Sequence, residues 1–179
     1  MTQLPKTPGR TTPAFGFYYI ERSLLDCLGN RRFNQEEKER VFDFFGQWEA
    51  QLTCAFCGSP EDKRWDHVIP VSQGGETVLG NMVRACQPCD DSKGKQHFEE
   101  WMTGDAPKSP RSQGITNVQE RIQHIKTYID TFGYVARPLE ERLTHSEMER
   151  VTEIRTQLDT LHRQVDSLIS DYRQRTGHK

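Results

Sequence analysis

Four of the five cysteines fall into two Cys-x-x-Cys pairs, Cys54/Cys57 and Cys86/Cys89, with 28 residues between them. No other feature restricts the fold as much. Two intervening residues put both sulfurs of a pair on one turn, and two such pairs supply four thiolates for one tetrahedral ion. Gly58 after the first pair and Pro88 inside the second suit such turns. A four-sulfur site is closed, so the expected Zn2+ folds the domain rather than catalyses. An odd cysteine count with this pairing argues against a disulfide framework. It leaves Cys27 as a free thiol, expected to be buried.

The segment between the pairs reads as a short strand from Arg64, ended by Pro70, then a loop through Gly74-Gly75. Asn81 to Arg84 forms a second strand. A helix follows from Pro88, with Asp90 and Asp91 in its first turn, where a helix N-terminus favours negative charge. The helix is expected to continue through Phe98, Trp101 and Met102. Strand, loop, strand and helix can bring His67 against the turn that holds Asp90.

The full pattern is C-x-x-C, D-H-x-x-P, G-G, N, C-x-x-C, then an acidic residue and a lysine three later. Over roughly residues 52–100 it resembles the HNH endonuclease family. The resemblance implies an α+β fold: a small zinc-stapled ββα-metal core, here with mostly helical flanks. It implies that Asp66 binds the catalytic metal, that His67 is the general base, and that Asn81 pins the histidine loop. Asp90 stands where the family has Asn or His as second metal ligand. A carboxylate there suits Mg2+ or Mn2+, so function is expected to survive the departure. Lys93 and Arg84 are candidates for phosphate contact.

The residue chemistry agrees. Phosphodiester hydrolysis needs an activated water and a counter-charge for the phosphate and the leaving oxygen. A neutral His67 can accept a proton near pH 7. A divalent ion between Asp66 and Asp90 can supply the charge. The alternative for His67, a structural or zinc-bound histidine, loses force because four cysteines already fill the zinc. His97 reads as a surface or packing histidine; His124, His145, His162 and His178 read as solvated.

Outside 52–102 the flanks read as supports. Residues 1–14 are rich in Pro and polar residues and read as a flexible arm, with DNA contact as an alternative. In the 15–51 segment, Phe17, Ile20, Leu24 and Leu28 recur at helical spacing, although Phe-Tyr-Tyr-Ile would also suit a strand. Asn34 with Glu37 makes a capping-box start for a helix running to about Trp48, its aromatic face bracing the zinc module. Residues 103–114 read as a solvated linker. In the 115–179 region, a helix from Ile115 carries Val118, Ile122, Ile125, Ile129 and Phe132 on one stripe, with Asn117 and Glu120 as its cap. From Ser146 to Arg175, Val151, Ile154, Leu158, Leu161, Val165, Leu168 and Tyr172 keep 3-4 spacing, a coiled-coil seam. This helix is expected to pack on the preceding one, on a second copy, or on both, and dimerisation is favoured.

Composition limits the function classes. Hydrophobic residues make up 34% and charged residues 28% of the 179, so part of the chain is expected to be extended or oligomeric. The net charge of −2 lacks the basic surplus usual in nucleic-acid binders, but a basic face can exist locally. No run approaches the ~18 apolar residues of a membrane span. Without an apolar signal core at its start, the chain is expected to be cytoplasmic, and bacterial or phage-encoded. The combined reading is a metal-dependent DNA endonuclease of restriction type, acting as a homodimer that makes double-strand breaks. The alternatives are a phage, homing or defence-system HNH nickase and, from another class, a catalytically silent zinc-binding module for DNA or protein.

Overall fold

The computed structural model describes residues 13–46, 52–61 and 63–177. Most of the arm assigned to 1–14, together with Trp48 and His178, lies outside the described residues. The chain divides into two compact units. One is Leu25–Arg142; the other joins the stretch up to Leu24 with the stretch from Leu143.

The site is built in the larger unit. Strand β1 (Lys63–His67) pairs antiparallel with β2 (Met82–Cys86), with Trp65 opposite Arg84 and His67 opposite Met82. β1 ends at His67, short of Pro70, because the chain then enters a 3-10 turn at Val71–Gln73. Helix α3 (Gln87–Lys93) follows β2 directly. It does not continue to Met102. Gly94, at φ +50, closes it, and α4 (Phe98–Thr103) starts afresh.

Three further elements brace this ββα core. Helix α2 (Gln35–Phe44) opens on the Asn34/Glu37 capping box and closes at Phe44, earlier than its apolar pattern suggests, with Gly46 at φ +60. Phe33 and Phe42 pack on Trp65 of β1 at ring distances of 4.7 and 5.8 Å. Helix α5 (Val118–Thr131) buries Val118, Ile122 and Ile125, as its stripe predicts. It also buries Tyr128, whose hydroxyl donates to Met82 O (2.8 Å) and accepts from Gly80 N (3.0 Å). Asn117 stands at the N-cap of α5 without capping it; its Oδ1 accepts from Arg121 Nε instead. The 103–114 segment is no solvated linker. Ser109 and Pro110 are fully buried, and Ser109 Oγ donates to Gly104 O at 2.7 Å.

The second unit pairs α1 (Pro13–Leu28) with α7 (His145–Thr176). The four-residue α6 (Leu139–Arg142), which precedes α7 in the chain, belongs to the larger unit. α1 is the helix that its 3-4 spacing predicts, not a strand. Cys27 is exposed, contrary to the expectation of a buried thiol; it shares a helix face with Ile20, which is itself exposed. Phe17 packs on His162, and Glu21 pairs with Arg155 at 3.0 Å. α7 therefore meets α1 through Arg155 and His162, beside the seam rather than in it.

Candidate active site and metal centre

Four sulfurs come together beneath the sheet. The Sγ atoms of Cys54, Cys57, Cys86 and Cys89 all lie within 4.8 Å of one another. Those of Cys57 and Cys86 are 3.6 Å apart, close to the ~3.8 Å separation implied by tetrahedral Zn–S bonds of about 2.3 Å. The first pair sits on a tight turn in which Gly58 N donates to Cys54 O, and the second spans the β2–α3 junction. The thiols crowd one another. Hydrogen bonds from Cys57 and Cys89 hold Cys54 low, while the same contacts push Cys57 up to about 12 and Cys89 further. Without a cation Cys54 ionises at the expense of Cys57 and Cys89, and a divalent ion removes that conflict. The donor set fits zinc.

The Asp66-His67 dipeptide ends β1 beside α3. Lys93, 1% exposed, donates to the His67 carbonyl at 2.6 Å and stands 3.2 Å from Asp66 Oδ2. That oxygen is buried and receives no aligned hydrogen bond. Burial pushes the Asp66 carboxyl up to about 6; Lys93 pulls it back and the nearby charge of Asp90 adds to the rise. A buried carboxylate, close enough to a second carboxylate to feel it, fits an oxygen-loving divalent ion. Asp90 itself is held from the strand: Arg64 Nη1 lies 3.4 Å from its Oδ2 and 3.3 Å from Asp91 Oδ1.

Asn81 is fully buried between the two strands. Its Oδ1 accepts from Ile69 N (2.8 Å), and its Nδ2 donates to Ile69 O (3.1 Å) and Glu76 O (2.9 Å). The backbone just after His67 is thereby fixed. The loop also needs its glycines: a Cβ on Gly75 would meet Ile69 O at 1.8 Å, and Gly74 sits at φ +84.

The structure links Asp66 and His67 to Lys93 directly, ties Asn81 to the backbone just after His67, and places Asp90 near enough to raise Asp66. Two residues expected to contact phosphate have other contacts here. Lys93 is buried, its ammonium turned inward to Asp66 and a carbonyl. The Arg84 guanidinium lies over the Trp65 ring at 5.0 Å. Among the other histidines, His97 packs on Phe98 at 4.9 Å, and His124 lies against Phe44 and Phe45 at 5.0 Å each. Sequence reasoning missed Thr77, whose Oγ1 is 2.9 Å from His67 Nε2, and Arg64. No short-range spacing marks either.

Comparison with known proteins agrees with this geometry. A family profile described as HNH endonuclease matches residues 54–102. The CRISPR-associated endonuclease Cas9 of Corynebacterium diphtheriae is 30% identical over 84 residues, which cover 45% of this chain and 7% of that protein. The chain therefore spans only a small part of that relative's length. No solved structure matches to significance. Among the described residues, no helix is long and apolar enough to cross a membrane. Residues 54–102 form an HNH-like nuclease domain, a ββα-metal core stapled by four cysteines arranged as for zinc.

Proposed function

We propose that this chain hydrolyses DNA phosphodiester bonds with the aid of Mg2+ or Mn2+. The observation that carries this is Asp66: a buried carboxylate, ion-paired with Lys93, next to His67 and within the field of Asp90. Asp66 and Asp90 would hold the divalent ion, which supplies positive charge opposite the charge that develops on the phosphate and leaving oxygen. His67 takes the proton of the attacking water. Its peptide is held by Lys93 on one side and by the Asn81 bonds on the other, so the ring starts from a fixed backbone. Lys93 also offsets the charge of Asp66 from below. The role of Asn81 is positional and that of Lys93 supportive.

The domain boundaries that fit this reading are 52–102 for the nuclease core, with 15–51 and 115–179 as helical supports. α7 leaves Ile154, Leu161, Leu168 and Tyr172 exposed along one side, and we take this stripe as the face on which a second copy docks. Two sites related by a two-fold axis would make a double-strand break, as in a restriction-type enzyme. The likeness to a CRISPR-associated endonuclease favours a second reading, a defence-system nuclease whose single site cuts one strand.

The test is digestion of supercoiled plasmid and phage DNA by zinc-loaded protein with Mg2+ or Mn2+, wild type against His67→Ala. Linear fragments that disappear with His67→Ala support the dimeric double-strand cutter. Open circles alone support the single-strand reading. Cleavage unaffected by His67→Ala defeats the mechanism, and DNA binding without cleavage that ignores Asp66 and His67 marks a silent binding module.

A further inference from the structure

We infer that Thr77 is a positioning residue for His67: it holds Nε2 and so commits proton transfer to Nδ1. This rests on the nuclease reading of His67 above. The imidazole ring turns about a side-chain torsion with two broad, roughly equivalent orientations, which exchange the places of its two nitrogens. Fixing the backbone of His67 does not choose between them. The 2.9 Å contact between His67 Nε2 and Thr77 Oγ1 does. In a neutral imidazole one nitrogen carries the proton and the other the lone pair. With Nε2–H donating to the hydroxyl, the lone pair that accepts the water proton sits on Nδ1.

A hydroxyl can orient a ring only if it is itself held, and the residue before Thr77 is anchored at every polar group. Glu76 N donates to the Tyr134 hydroxyl at 2.8 Å, and Glu76 O accepts from Asn81 Nδ2. The Glu76 carboxylate, only 7% exposed, accepts from Asn30 N at 2.9 Å and pairs with Arg142 at 3.0 Å. Burying this ion pair carries a desolvation cost, offset here by bonds that fix the position of the loop. Here the next residue is the one that touches the candidate base. Asn81 links the two halves, since one side chain bonds both Ile69, beyond His67, and Glu76, before Thr77.

The experiment pairs spectroscopy with kinetics on zinc-loaded, full-length protein. Long-range proton–nitrogen correlation on 15N-histidine-labelled wild type, Thr77→Val and Thr77→Ser reads the tautomer of His67 without requiring activity. Plasmid cleavage with Mn2+ reads kcat and KM. The expected result is an Nε2–H tautomer in wild type and Thr77→Ser, and a mixture in Thr77→Val. Thr77→Val is expected to lower kcat about tenfold with KM unchanged, the scale of one lost orienting hydrogen bond. Thr77→Ser should recover to within about twofold. An Nδ1–H tautomer in wild type overturns the inference, as does full activity in Thr77→Val beside an inactive His67→Ala. Full activity in His67→Ala overturns the nuclease role of His67, and this inference falls with it.

Discussion

Residues 54–102 and α7 solve the same problem, a sequence poor in hydrophobic residues, in opposite ways. The nuclease core buries Asn81 and Lys93 completely and satisfies them through partners distant in sequence. α7 is 32 residues long, and Val151 is its one buried residue. Its side-chain bonds are mostly local: the Thr144/Glu147 capping box, then hydroxyls of Thr152, Thr156 and Thr160 returning to carbonyls four residues back. The core is specified by non-local polar contacts and a metal centre. The helix is specified by its own turn-to-turn chemistry. A perturbation should therefore spread through the first and remain confined in the second.

The sharpest test removes the metal. Structural zinc contributes on the order of 10 kcal/mol in small domains, above the usual margin of stability of about 5–15 kcal/mol at its lower end. Chelation at neutral pH, or Cys89→Ser, should abolish the near-ultraviolet signal of Trp65 and Trp101, which pack in the core. Much of the far-ultraviolet helix signal of α7 should persist. Loss of both signals in one step would mean that the helix depends on the core after all.

Next in size is Lys93→Met. It keeps the length of the side chain but leaves Asp66 buried without its counter-charge. Breaking a buried pair from one side costs about 3–5 kcal/mol, and the His67 carbonyl loses its donor as well. Urea unfolding should register that loss with an unchanged slope. A loss below about 1 kcal/mol would show that Asp66 simply takes up a proton at little cost, and that the pair is not what holds α3 to β1.

These two tests also mark what the sequence could and could not disclose. The cysteine cluster and the strand–loop–strand–helix that carries Asp66-His67, Asn81 and Asp90 were legible because such chemistry requires fixed spacings over a short stretch. The α2 capping box was legible for the same reason. The inward turn of Lys93 was not, because a lysine three residues past a cysteine looks the same whether it faces solvent or the sheet. Tyr128, Tyr134 and Glu76 were missed because their partners lie 46 to 66 residues away. The 103–114 loop misled for a compositional reason. Pro, Ser and Gly suit both a solvated linker and a tightly bonded turn, and only the carbonyl of Gly104 beneath Ser109 decides between them.

A smaller effect is expected at the start of α7. Thr144→Ala removes the hydroxyl that accepts from Glu147 N and donates to Glu147 Oε2, while the backbone N–H at 144 can still donate to that carboxylate. Those contacts hold the Glu147 carboxyl below its usual range. Loss of an N-cap threonine costs about 1 kcal/mol. Amide exchange should accelerate in the first turn of α7 and nowhere in β1 or β2. Faster exchange in the strands would erase the distinction between local and non-local specification.

The least effect on the folded protomer, and the most informative for assembly, comes from the outer stripe of α7. Leu161 and Leu168 are 48% and 68% exposed, so replacing both with Glu removes little buried area. Such surface changes usually stay within about 0.5 kcal/mol. If a second copy covers this stripe, light scattering should show the mass fall from dimer to monomer while thermal unfolding of the metal-bound core stays in place. Double-strand cleavage should then give way to nicking, because each protomer keeps its own Asp66-His67 site. An unchanged mass would remove the dimer from the proposed function and leave α7 as a helix that packs on α1. Linear product from a proven monomer would break the link between two sites and two cuts.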